Sequence, residues 1–175
     1  MQRPQSSGRA LRGRSLLSVA LIAWLAACAT PESFAPGATA AQLQARLGAA
    51  DRVYALPDGG QRLEYARGAF EQFVWMVDVD ASGRVAAIKQ VRTFENFGRL
   101  RPGVDDQRSV LREFGAPWKV ERYALSKLTG WLYPYREAGV FDSVMTVMFD
   151  EAGVFRRAEN GPDPRFVVND GRQRQ

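Results

Sequence analysis

The chain has 175 residues, with 24 lysines and arginines against 19 acids, one cysteine and no histidine. Without histidine the commonest general base and metal ligand is missing; no serine or lysine sits in a nucleophile motif and no phosphate-cradling glycine loop occurs, so neither catalysis nor a resident metal or cofactor is expected. The formal charge of +5 owes four of its arginines (Arg3, Arg9, Arg12, Arg14) to residues 1–27, and the remaining 20 bases against 19 acids do not make the basic face that nucleic-acid binding requires.

Residues 1–27 read as an export signal. A basic lead precedes the apolar run over 16–24, which is shorter than the ~20 residues that span a bilayer. The run ends in Leu25-Ala26-Ala27-Cys28, which resembles the lipobox of bacterial lipoproteins. The resemblance implies cleavage before Cys28, a diacylglycerol on its thiol and an acyl chain on the new amine. An ordinary signal with a stray cysteine is the alternative, but a lone thiol in an exported chain has no disulfide partner. One acyl chain holds only marginally at ~0.8 kcal/mol per buried methylene; three make attachment permanent. Ala29 follows the cysteine where enterobacterial lipoproteins kept in the inner membrane carry Asp, so the expected location is the outer membrane, facing the periplasm. Residues 28–36 are small, polar and proline-bearing and read as a tether.

Residues 37–93 read as a helix followed by four strands. Thr39 and Gln42 fit a capping box, Leu43 and Leu47 share a face, and Gly48 suits a left-handed helix end. Strands are expected over 52–56 and 61–66, joined by Pro57-Asp58-Gly59-Gly60. A longer strand begins near Phe70, with Phe73, Trp75, Val77 and Val79 on a core face by period two, and a fourth covers 85–93. Asp78, Asp80 and Gly83 imitate the start of a calcium loop, but the twelfth place is Lys89 rather than a bidentate Glu, so a solvated turn is expected. Residues 94–102 form a connector, whose Phe94 and Phe97 fit either a plug between units or an exposed docking site.

Residues 103–160 repeat the plan. Asp105 or Asp106 caps a helix carrying Val110, Leu111 and Phe114, which Gly115-Ala116-Pro117 stops. Strands are expected over 118–124, 131–136, 141–150 and 154–159. Trp131, Tyr133 and Tyr135 form an aromatic row that fits core packing or a partner-binding surface. Residues 161–175 read as a loose tail. Gly48 and Gly115 lie 67 apart, Tyr65 and Tyr133 68, Gly83 and Gly153 70; three landmarks in the same order argue for a tandem repeat. The expected fold is therefore α+β, two units each with a short helix packed on a four-stranded antiparallel sheet.

The succession Pro102-Gly103-Val104-Asp105, Phe114-Gly115-Ala116-Pro117, Trp131-Leu132-Tyr133 and Val147 to Val154 resembles the SmpA/OmlA family, the small BamE-type lipoproteins of the outer-membrane β-barrel assembly machine. That family carries one such unit where this chain carries two. The fold it implies is shared with secreted β-lactamase inhibitor proteins, which hold two tandem helix-and-sheet repeats. The resemblance implies a non-catalytic outer-membrane lipoprotein with covalent lipid on Cys28 as its only attached group. It would bind a protein partner in β-barrel assembly or envelope maintenance, with Phe94, Phe97, Trp131, Tyr133 and Tyr135 as candidate contacts. The alternative is an inhibitor or sensor that takes a periplasmic enzyme or ligand between the units.

Overall fold

The computed structural model describes residues 31–67 and 69–166; the signal, Cys28 and residues 167–175 lie outside the described residues. The fold is α+β with two four-stranded antiparallel sheets. Helix α1 (Ala40–Leu47) precedes β1 (Arg52–Ala55), β2 (Gln61–Arg67), β3 (Phe73–Val79) and β4 (Val85–Gln90). A short helix α2 (Phe94–Phe97) leads to α3 (Gln107–Phe114), then β5 (Lys119–Tyr123), β6 (Leu128–Glu137), β7 (Phe141–Phe149) and β8 (Phe155–Pro162). Both sheets are meanders, in the orders β1-β2-β3-β4 and β5-β6-β7-β8. Among the described residues no helix is long and apolar enough to cross a membrane.

Local sequence explains both longer helices. Thr39 and Gln42 close a capping box on α1, and Asp106 with Ser109 closes one on α3, each satisfying two otherwise orphaned donors. Asp105 is committed instead to Arg101. Gly48 and Gly115 end these helices at φ 82° and 78°, as expected, but with ψ of −174° and −169°, an extended conformation with positive φ that is essentially confined to glycine.

The same bonds recur in each half. Gly37 N–H donates to Val85 O and Gly103 N–H to Phe155 O; Ala40 N–H donates to Gly83 O and Gln107 N–H to Gly153 O. The hydroxyls of Tyr65 and Tyr133 donate to the carbonyls of Gly48 and Gly115. The register slips at Asp78/Val79 in one sheet and at Met148/Phe149 in the other.

Each longer helix lies on one sheet face. Leu43 from α1 joins Leu63, Tyr65, Val77 and Val79; Val110 and Phe114 from α3 join Tyr133, Tyr135, Met145, Val147 and Phe149. Trp75, 6% exposed, lies on the α1 side of β3, stacks on Phe73 and donates its indole N–H to Glu32. The opposite face of β3 is buried as well, with Val74 and Met76 packed against Val91. Period-two reading assigns one core face; the second half of the chain covers the other.

Four expectations change. Residues 31–36 do not form a free tether, because Phe34 enters the first core under the Arg46 guanidinium. Strand β3 starts at Phe73 rather than Phe70, because Phe70 and Glu71 hold positive φ (61° and 56°) and cannot extend a pleat. Strand β6 starts at Leu128 rather than Trp131: Gly130 lies within it, where a Cβ would meet the Tyr123 ring at 2.8 Å. The tail is not loose from residue 161, since β8 runs to Pro162 and Asp163 N–H donates to Asp142 O. Pro134 is tolerated inside β6 because Leu132 already receives Trp118 N–H at the end of β5; the N–H that Pro134 lacks would face the edge beyond that end.

Asp80 closes the turn between β3 and β4. Its carboxylate accepts from Ser82 N–H and Arg84 N–H, and those bonds, with the Ser82 hydroxyl first, hold its pKa below the ordinary value. Asp78 is committed to Arg62.

Phe97 stacks on Phe114 at 4.4 Å and reaches Tyr133 and Tyr135, whereas Phe94 is 51% exposed. Phe97→Ala is expected to lower the unfolding free energy by about 3–5 kcal/mol, and Phe94→Ala to stay within about 0.5 kcal/mol of the parent. Denaturant titration of both variants checks this.

Candidate binding surface

The two halves meet on the face of the first sheet that carries Arg62, Glu64 and Met76. Arg62 binds Asp78 on its own sheet and reaches Glu113 of α3. Glu64 is 1% exposed; it accepts from the Tyr54 hydroxyl at 2.6 Å and from Arg52 at 3.3 Å. Burial, then this contact with Glu64, pushes the Tyr54 pKa up. Gly115 sits directly against the Glu64 carboxylate, and a Cβ there would stand 2.5 Å from its Oε1.

At the centre lies Arg92, in the segment between β4 and α2, with 1% of its surface exposed. Its Nη1 donates to Glu71 O (2.8 Å), Nη2 to Ala116 O (2.7 Å) and Nε to Phe114 O (3.2 Å), and the guanidinium lies over the Tyr133 ring at 5.2 Å. Burial lowers its pKa, yet an arginine stays charged in this setting. Three carbonyls and an aromatic face replace the water it gave up, and they belong to both halves of the chain. The same burial pushes the Tyr133 hydroxyl up.

Two of those carbonyls, on Glu71 and Ala116, fix the walls of a groove of about 420 Å³ that opens at the rim between Phe70, Trp118 and Arg165. Arg165 is paired with the buried Asp163 and lies between the two rings, 4.3 Å from the Trp118 centroid and 4.8 Å from that of Phe70. Phe166 meets Phe70 edge-on at 5.2 Å and also borders a second groove, of about 440 Å³, whose far wall is Phe141. Gln72 ties this end together by donating to Asp142 at 2.7 Å across the two halves; that bond, followed by the pairing with Arg136, holds the Asp142 pKa down.

Phe70, Trp118, Phe166 and Phe141 are 52%, 39%, 40% and 64% exposed, so four aromatic side chains line one continuous edge. Phe70 keeps a left-handed backbone without being glycine, which costs about 1–2 kcal/mol. Strain of this kind gathers at functional positions and persists only where the surroundings impose it. Here Arg92, bonded to the next carbonyl, imposes it.

Of the five aromatics expected to meet a partner, Phe97, Tyr133 and Tyr135 are 2% exposed or less and cannot form a docking surface, because α2 and α3 close over that sheet face. Burial, followed by the charges of Glu137 and Glu95, pushes the Tyr135 hydroxyl up to about 12. Trp131 is half-buried against Phe149, and Phe94 alone of the five is exposed. The rim residues Phe70, Trp118, Arg165 and Phe166 escape sequence reading, since they come from three separate turns and strand ends with no common period. Among the described residues there is no group of three or more metal-ligating side chains.

No protein-family model matches this chain, and no curated protein does so. Two solved structures are similar at low level. One is a DUF4309 family protein, YjgB, of Bacillus subtilis (12% identity, 72% of this chain and 79% of that one, TM-score 0.31). The other is a candidate beta-lactamase inhibitor protein of Streptococcus mutans (12% identity, 74% and 85%, TM-score 0.29). At these values neither likeness transfers a function.

Arg92→Ala orphans three carbonyls. At about 1 kcal/mol or more for each, it is expected to cost about 3 kcal/mol or more in urea unfolding and to loosen Phe70 and Trp118, read as faster amide exchange at Glu71 and Ala116. Unchanged stability would remove Arg92 from its central place.

Proposed function

We propose that the chain is a non-catalytic protein-binding module, held on the outer membrane by lipid at Cys28 and facing the periplasm, whose binding surface is the aromatic edge where its two halves meet. The observation that carries this reading is that edge itself: Phe70, Trp118, Phe166 and Phe141 exposed around two neighbouring grooves, with Phe166 in contact with Phe70, on a junction fixed by Arg92. Aromatic and arginine side chains on a rigid support are what partner-binding centres are made of, because large rings exclude water at little cost in conformational entropy. The recurrence of bonds at equivalent places supports the reading of the halves as copies of one helix-and-sheet unit, an arrangement of the kind found in β-lactamase inhibitor proteins. The lipobox-like run ending at Cys28 supports an envelope location, and the SmpA/OmlA resemblance suggests β-barrel assembly or envelope maintenance as the setting.

The groove of about 420 Å³ between the halves favours a second reading, an inhibitor or sensor that receives part of a periplasmic enzyme there. One experiment separates the two: crosslinking of the membrane-anchored protein in its own cells, followed by pull-down and mass spectrometry. Enrichment of the barrel-assembly machinery is the expected outcome, and enrichment of one soluble periplasmic enzyme selects the second reading. The paired substitutions Phe70→Ala and Phe166→Ala are expected to abolish capture under either reading. Capture of no envelope protein by the parent chain contradicts both.

A further inference from the structure

The groove between Phe141 and Phe166 carries a carboxylate that the fold leaves without a cation. Glu137, at the end of β6, receives Asn160 Nδ2 on both oxygens at 3.0 Å and the Ser143 hydroxyl at 2.7 Å. Asn160 is itself oriented by the Tyr135 hydroxyl, which donates to its Oδ1. The two other acids of the groove are neutralised: Asp142 by Arg136 and Asp163 by Arg165. Among the described residues no lysine or arginine pairs with Glu137. The bonds from Asn160 and Ser143 keep its pKa below the ordinary glutamate value, so it is ionised across the neutral range. Two aromatic faces, 64% and 40% exposed, stand in the same groove of about 440 Å³.

A fixed anion beside exposed rings is complementary to one kind of group, a cationic side chain, whose charge the carboxylate meets and whose flat or methylene surface the rings cover. The exposed rings favour guanidinium, whose flat face stacks on an aromatic surface where an ammonium offers a compact, strongly hydrated point charge. We infer that this groove is the specificity pocket of the binding edge and that it takes an arginine side chain presented by the partner protein. The inference rests on the reading of the edge as a protein-binding surface and adds to it the chemistry of the residue the partner must present. The Arg165 sandwich between Phe70 and Trp118 shows the same pairing of guanidinium and ring made within the chain.

The test uses the full chain and a blocked tripeptide, acetyl-Ala-Arg-Ala-amide, with the citrulline peptide as its neutral twin, followed by NMR of the ring and Asn160 side-chain signals. The arginine peptide is expected to shift Phe141, Phe166 and Asn160, and the citrulline peptide to bind at least about tenfold more weakly, as the loss of a charge-assisted bond implies. Glu137→Gln, which keeps shape and fold, should abolish the difference between the two peptides. Equal shifts from both peptides, no shift, or discrimination surviving in Glu137→Gln overturns the inference. The proposed function is judged separately: if Glu137→Gln still captures the cellular partner at the parent level while the Phe70 and Phe166 substitutions do not, the edge stands and the arginine pocket falls.

Discussion

The arrangement of this protein depends on one buried guanidinium. Arg92 sits where the first sheet ends and the linking helix begins, and it meets backbone carbonyls from the 3-10 turn at Glu71 and from the end of α3 at Phe114 and Ala116. A charge withdrawn from water demands full hydrogen bonding, and only one placement of the second half against the first supplies all three acceptors and the Tyr133 face together. The apolar contacts of Val74 and Met76 would tolerate sliding; the directional bonds do not. Orientation is thus set by polar geometry, and cohesion by the apolar clusters.

This constraint also separates the halves in role although they share a plan. The first sheet is covered on both faces, by α1 and by the second half, and Glu64 with Gly115 shows how closely they approach. The second sheet gives one face to α2 and α3. At the seam, Phe70 and Phe166 close the approach from each half, while Arg165 bridges the rings of Phe70 and Trp118. The surface left over is neither a sheet face nor a helix face. It is an edge built from turns and strand ends, which is where rings can protrude without leaving ladder groups unpaired.

Much of the architecture is legible in the sequence because its determinants are local. Thr39 with Gln42 announces a helix start, Gly48 and Gly115 announce ends, and the alternation through Val77 and Val147 announces strands. The misplaced starts of β3 and β6 have local causes that no residue type signals: Phe70 and Glu71 adopt positive φ without being glycine, and Gly130 is inside a strand because the Tyr123 ring needs its space. The aromatic row at Trp131, Tyr133 and Tyr135 shows the limit for a site. Period two puts the three on one side of β6 but does not say which helix covers that side, and two of them are core. Arg92 was hidden for a stronger reason, since its partners are carbonyls between 21 and 24 residues away, and a carbonyl has no sequence signature. The envelope setting is a proposal drawn from short sequence motifs; the surface itself comes from the fold.

The central claim is that the partner docks on the aromatic edge, and site-specific photocrosslinking tests it most directly. A photoreactive phenylalanine analogue would replace Phe70 or Phe141 on that edge, and in parallel Val104 or Leu125, which are 64% and 105% exposed elsewhere on the chain. The account predicts one discrete crosslinked species from positions 70 and 141 and none from 104 and 125. Crosslinks confined to 104 or 125, with 70 and 141 silent, would contradict it.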